Sequence, residues 1–129
     1  MHQYGEDGLC LIWGVNNALQ IRLLSKDNVF REIQKVNVAN KQRNSRHYVG
    51  RNGIDFRAFK HVLKSHFGVL LRRVKKYKLK GGYLLTYDFG DYYHTVALYN
   101  GEVLDSRKEK EIKDLNVEKR LVDVYKVVR

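Results

Sequence analysis

The sequence predicts an α+β fold, with helices in its first half and a largely antiparallel sheet in its second. Apolar residues recur at helical spacing as far as Gly68, and beyond it five runs favour strands. Asn100-Gly101 separates two of these runs and is a strong signal for a type I′ hairpin turn. Because helices precede strands instead of alternating with them, the α+β class is favoured. No repeat or linker interrupts the 129 residues, so we expect a single domain over 1–129.

Three helices are predicted before Gly68. Residues 9–24 are apolar on nearly every side, which is typical of a helix buried within the domain. Residues 25–28 can end that helix and cap a second one, whose inward face carries Val29, Ile33 and Val36. Residues 40–52 are polar and basic and predict an exposed loop. A third helix is predicted from near Asp55 to Gly68.

The predicted strands are residues 69–74, 83–88, 93–99, 102–105 and 120–128. A two-residue loop at Asn100-Gly101 places Tyr99 opposite Glu102 and Val96 opposite Asp105. His94 then shares a sheet face with Asp105 as a diagonal neighbour, roughly 7–8 Å away at the backbone. Their side chains can close that gap to a hydrogen bond.

Cys10 is the only cysteine, and it opens the first helix just after a glycine-bearing polar loop at residues 4–8. Unpaired N–H groups and the helix dipole favour a thiolate at that position. A lone cysteine with a distant His94 and Asp105 is a candidate nucleophilic triad. The alternatives are a small buried apolar residue at Cys10 and a packed strand histidine at His94. Gly14, on the same helical stripe as Cys10, suggests a close backbone approach.

The chain has a net charge of +11 and a pI near 9.8, with basic residues concentrated at 41–47 and 72–80. Such clusters attract nucleic acid and other polyanions, or they form an ordinary solvated face. A single cysteine excludes an internal disulfide and fits a reducing compartment. Residues 9–24 lack a signal-peptide pattern and are too polar to span a bilayer, so we expect a soluble intracellular protein without membrane association.

Two further motifs each have a simpler interpretation than a functional site. His61 and His66 lie five residues apart, so they do not share the helical face that a metal site needs, and neither metal nor cofactor is expected. The segment from Lys78 to Gly82 is similar to the basic Gly-Gly tails that some proteases cut. A glycine turn leading into the strand at Tyr83 is the simpler interpretation.

Taken together, these motifs resemble those of papain-like cysteine peptidases, and most of all the Josephin domain. The Josephin pattern has a Leu-Cys pair, two consecutive asparagines and a Leu-Gln end, as at Leu9-Cys10, Asn16-Asn17 and Leu19-Gln20. Three further features are similar to the family's pattern: a glycine-led helix that ends at Gly68, a histidine that begins a strand (His94), and an acid just before a serine (Asp105-Ser106). The resemblance covers roughly residues 3–106.

The resemblance implies a papain-like fold and a thiol peptidase in which Cys10, His94 and Asp105 form the triad. It also implies a substrate of the ubiquitin or ubiquitin-like type. The family's oxyanion-hole glutamine falls at Gly5, and Gln3 is the nearest substitute. Residues 25–50 leave little room for the family's long helical arm.

Two other functions stay open at this stage. One is a viral or mobile-element protease that processes its own proteins and binds nucleic acid through its basic clusters. The other is an inactive papain-like binding module. We expect the cytoplasm or nucleus as the location, or the interior of a host cell if the protein is viral.

Overall fold

A computed structural model of the chain describes residues 1–4, 9–39, 49–50, 53–54, 56–88, 93–106 and 121–129. The helices are α1 (Cys10–Leu19), α2 (Lys26–Ala39) and α3 (Phe56–Val62), and α3 continues as a π-helical turn, Leu63–Phe67. The strands are β1 (Val49–Gly50), β2 (Gly53–Ile54), β3 (Leu70–Val74), β4 (Gly82–Asp88), β5 (Tyr93–Tyr99), β6 (Glu102–Leu104) and β7 (Leu121–Val128). None of these helices has the length and apolar character required to cross a membrane.

The predicted α+β class is confirmed. A five-stranded antiparallel sheet has the order β3-β7-β4-β5-β6, and β1 and β2 form a separate two-stranded ribbon. Each strand of the large sheet begins and ends within one residue of its predicted bounds. Of the predicted loop over 40–52, only residues 49–50 are described, and they form β1. Asp55 and the basic cluster at 41–47 lie outside the described residues.

The first helix is shorter than predicted, because it ends at Leu19 and not at residue 24. Gln20 adopts a left-handed conformation, with φ of 61°. The Asn16 side chain then replaces the next helical turn: its Oδ1 accepts from Leu24 N–H and its Nδ2 donates to Leu24 C=O, both at 2.8 Å. Leu24 is therefore still buried, as its apolar character requires.

The second helix begins with a reciprocal cap at the residues predicted to supply one. Ser25 Oγ accepts from the N–H of Asn28 at 3.1 Å, and Asn28 Oδ1 accepts from the N–H of Ser25 at 2.8 Å. This exchange satisfies donors that the first helical turn leaves unpaired. The helix buries Val29 and Ile33 as predicted.

The sheet carries apolar side chains on both faces. One face packs against α1 and includes Leu84 and Ala97. The other face carries a second buried cluster of six residues: Tyr83, Leu85, Tyr87, Val96, Leu98 and Val124. His94 pairs with Tyr87 across β4 and β5, one residue from the end of β4 and from the start of β5.

Helix α1 lies unusually close to the sheet, as Gly14 led us to expect. A Cβ added at Gly14 would come within 2.9 Å of Leu84 Cδ2. One added at Gly82 would come within 2.2 Å of the backbone oxygen of Ala18. The two glycines therefore allow helix backbone and strand to touch, which fixes α1 across β4 and β5.

Strands β3 and β4 run parallel with β7 between them, because each is antiparallel to β7. Their connection, residues 75–81 (the crossover segment), lies against the second face, where the Tyr77 ring meets that of Tyr83 at 6.4 Å between centroids. Its end is a glycine turn, with φ of 94° at Gly81, and β4 starts at the buried Gly82. The simpler interpretation of the Gly-Gly motif is confirmed.

Candidate active site

The hairpin formed by β5 and β6 has the predicted register. Tyr99 pairs with Glu102 and Ala97 with Leu104, so the loop contains two residues. Asn100 and Gly101 have φ angles of 48° and 84°, the two positive values that a type I′ turn requires. The turn is also anchored to the crossover segment, because Gly81 N–H donates to Asn100 Oδ1 at 2.9 Å.

This register brings His94 and Asp105 together. His94 Nε2 lies 2.9 Å from Asp105 Oδ1, and the two residues are 4% and 0% exposed. Water competes little for such a buried contact, so the hydrogen bond orients the imidazole ring strongly. The sequence prediction that these two side chains can close to a hydrogen bond is therefore confirmed by the distance.

Cys10 is the third member of the group. It is the first residue of α1 and is half-buried. A hydrogen bond with the Cys10 side chain is one of the interactions that raise the pKa of His94. The Cys10 side chain is therefore a neighbour of the same imidazole whose Nε2 lies against Asp105. The structure thus places one imidazole between a thiol and a carboxylate.

Opposing effects set the pKa of His94. Burial lowers it, but the hydrogen bonds that the ring makes with Asp105 and Cys10, together with the charges of those two residues, outweigh burial and raise it from 6.5 to about 9. His94 is therefore an imidazolium at neutral pH and carries a proton on each ring nitrogen. Such a group can stabilise a neighbouring thiolate and can supply a proton to a leaving group.

Tyr87 is a neighbour of this site that the sequence reasoning missed. It pairs directly with His94 across the sheet and is 1% exposed. Burial, and then the charges of Tyr77 and Asp105, raise its pKa well above the usual 10, so its phenol stays neutral. Its hydroxyl has no hydrogen-bond partner among the described residues. Pairing the predicted strands 83–88 and 93–99 across their short connection would have placed Tyr87 beside His94.

Gln3, the predicted second oxyanion donor, lies against the later part of α1. Its N–H donates to Asn17 Oδ1 at 2.6 Å, its Oε1 accepts from Asn16 Nδ2 at 2.7 Å, and its C=O accepts from Asn17 Nδ2 at 3.0 Å. Asn16 is six residues beyond Cys10, roughly 9 Å along a helix axis. The described contacts therefore do not bring Gln3 to Cys10, and its role in an oxyanion hole stays a prediction.

The second basic cluster is exposed. Six cationic side chains of residues 72–80 face solvent. Arg73 pairs with Asp123 at 2.8 Å, and within the described part of the chain no ion pair is seen for the other five: Arg72, Lys75, Lys76, Lys78 and Lys80. Whether this cluster joins the one at 41–47 lies outside the described residues.

No protein-family model matches the chain, and a search of curated proteins finds no match. Function is therefore inferred from the geometry of Cys10, His94 and Asp105.

Proposed function

We propose that the chain is a cysteine peptidase of papain-like fold, with Cys10 as nucleophile, His94 as general acid and base, and Asp105 as the group that orients the imidazole. The observation that carries this proposal is the single imidazole shared between Asp105 and Cys10, with Nε2 held at 2.9 Å from Oδ1. Cys-His-carboxylate groups of this kind recur in thiol hydrolases.

The chemistry follows in two stages. The Cys10 thiolate attacks the carbonyl carbon of the scissile amide, and the bond to nitrogen breaks as His94 gives its proton to the leaving amine. Water then attacks the thioester, His94 takes a proton from that water, and the bond between carbon and sulfur breaks. The acid product leaves and the thiolate is restored beside the imidazolium.

The backbone N–H of Cys10 is proposed as the first oxyanion donor. It belongs to the first residue of α1, where N–H groups have no partner within the helix. Gln3 is proposed as the second donor, on the resemblance alone. Losing one donor of this kind costs about 10²–10³ in rate.

The papain-like fold is supported by the elements on which the three proposed catalytic residues lie. A helix presents the nucleophile at its first residue, and it packs on an antiparallel sheet whose hairpin presents the histidine and the acid. We further propose a substrate of the ubiquitin or Gly-Gly type. A reducing compartment such as the cytoplasm or nucleus is the proposed location, because a free thiol must persist there.

An activity-based probe made of ubiquitin with a thiol-reactive C-terminus tests the chemistry and the substrate class together. Cys10 is the only cysteine, so any labelling reports this residue alone. We expect labelling that is lost in Cys10→Ala and strongly slowed in His94→Ala. Labelling by a small thiol-reactive peptide inhibitor but not by the ubiquitin probe would favour a processing protease. Failure of both reagents on folded protein would favour an inactive binding module.

A further inference from the structure

Asp105 is held by its main chain as well as by its carboxylate. It follows the last residue of β6, Leu104, and so lies outside the sheet ladder. Its backbone oxygen lies 2.5 Å from His2 Nε2. Because a carbonyl only accepts, Nε2 carries the hydrogen and His2 donates. The residue is fully buried, so this carbonyl has little access to water as an alternative partner.

His2 is itself fixed on both sides. Its ring stacks on Tyr4, with centroids 4.2 Å apart and planes inclined by 23°. The next residue, Gln3, is tied to Asn16 and Asn17 of α1 by three hydrogen bonds of 2.6 to 3.0 Å. Both asparagines are completely buried, so this attachment is rigid. Residues 2–4, which we call the N-terminal strap, therefore link the helix that carries Cys10 to the main chain of Asp105.

We propose that His2 is a positioning residue of the triad, which fixes the Asp105 peptide and through it the contact between Oδ1 and His94 Nε2. This inference rests on the proposed peptidase function. A hydrogen bond weakens steeply when its distance or angle departs from the optimum, so a loosened Asp105 peptide misplaces the carboxylate. The imidazole then loses both its orientation and the interaction that raises its pKa most.

The test compares His2→Ala and His2→Gln with the wild-type chain in peptide hydrolysis and in alkylation of Cys10 by iodoacetamide at pH near 7. Misplacement of a catalytic group by about 1 Å can cost up to 10²-fold, so we expect His2→Ala to lower kcat by about tenfold or more. KM should change little, because His2 is not proposed to touch substrate. Alkylation should slow as well. Gln at position 2 can donate from a similar reach and should restore most of both rates.

His61→Ala is the matched control, since His61 is an exposed histidine on α3. It should leave kcat and alkylation unchanged. Urea unfolding of each variant under the assay conditions gives the folded fraction, and the rates are corrected for it.

Two results would overturn the positioning role of His2 and leave the proposed peptidase function standing. One is a His2→Ala variant with wild-type kcat and alkylation rate while His94→Ala is slow. The other is a folded His2→Gln variant as slow as His2→Ala. Wild-type alkylation in His94→Ala would instead overturn the proposed function, because Cys10 would then not depend on the imidazole.

Discussion

Raising the pH through the titration of His94 should destabilise the folded protein. The pKa of His94 is about 9 in the fold and 6.5 for an ordinary imidazole. A raised pKa means that the folded state favours the protonated form. Its contribution to stability is therefore complete below pH 6.5 and is lost as the pH rises through 9. At about 1.4 kcal/mol per pKa unit, the full loss is on the order of 3 kcal/mol.

The free energy of unfolding can be measured by urea titration between about pH 6 and pH 9.5, at constant ionic strength. Trp13 is the only tryptophan and is partly buried on α1, so its fluorescence reports the unfolding of the helix that carries Cys10. The scan stops below the range where tyrosines of the unfolded chain ionise, near pH 10. We expect the free energy to fall across the scan in the wild type.

His94→Asn is the control variant, because asparagine has a polar side chain that does not titrate. It should be less stable at the lower end of the scan and should lack the fall that the wild type shows. The reasoning is refuted if wild-type stability is flat between pH 6.5 and 9.5, or if His94→Asn shows the same fall.

Three other outcomes are expected. In a pH-rate profile, kcat/KM should decline above about pH 9 as His94 loses its proton. In Asp105→Asn the decline should move to lower pH, because the carboxylate that raises the pKa of His94 is gone. Superimposable profiles of the two proteins would contradict this. In urea unfolding, Gly82→Ala should lower the free energy of unfolding by at least about 2 kcal/mol, because the added carbon meets the helix backbone at 2.2 Å. Gly68→Ala has nothing within 4 Å of the added carbon and should lower it by only about 1 kcal/mol, because of the positive φ at this position. Replacing three exposed lysines of the crossover segment with glutamine, Lys75, Lys76 and Lys78, should leave peptidase activity unchanged. Salt-sensitive stimulation of the wild type by DNA would contradict this, because it would support the alternative of a processing protease that binds nucleic acid.

The contact between His94 and Asp105 could be predicted because it depends on local rules. Asn100-Gly101 selects a two-residue turn, the turn fixes the register, and strand alternation then assigns each side chain to a face. The reciprocal cap of α2 was predictable for the same reason, since Ser25 and Asn28 lie within one turn of each other.

The features that escaped prediction depend on contacts between distant segments. The insertion of β7 between β3 and β4 joins residues 34 to 58 positions apart, and strand pairing over that distance leaves no local pattern. The early end of α1 depends on the Asn16 side chain binding Leu24, where apolar periodicity alone predicts a longer helix. The bond from His2 to Asp105 spans 103 positions and requires the whole fold.

Helix α1 is held closest to the sheet where the backbone of Ala18 meets Gly82, so a tilt of the helix pivots at this contact. Cys10 is the first residue of the helix and lies eight residues from this contact, roughly 12 Å along the axis. A small tilt therefore displaces the Cys10 end more than any other part of the helix. Gly14 lies midway between Cys10 and Ala18, and a methyl group there would meet Leu84 Cδ2 at 2.9 Å. A change at Gly14 that leaves the sheet intact would therefore swing the sulfur away from the imidazole. The loss of activity would be traced to a residue that contacts neither substrate nor triad.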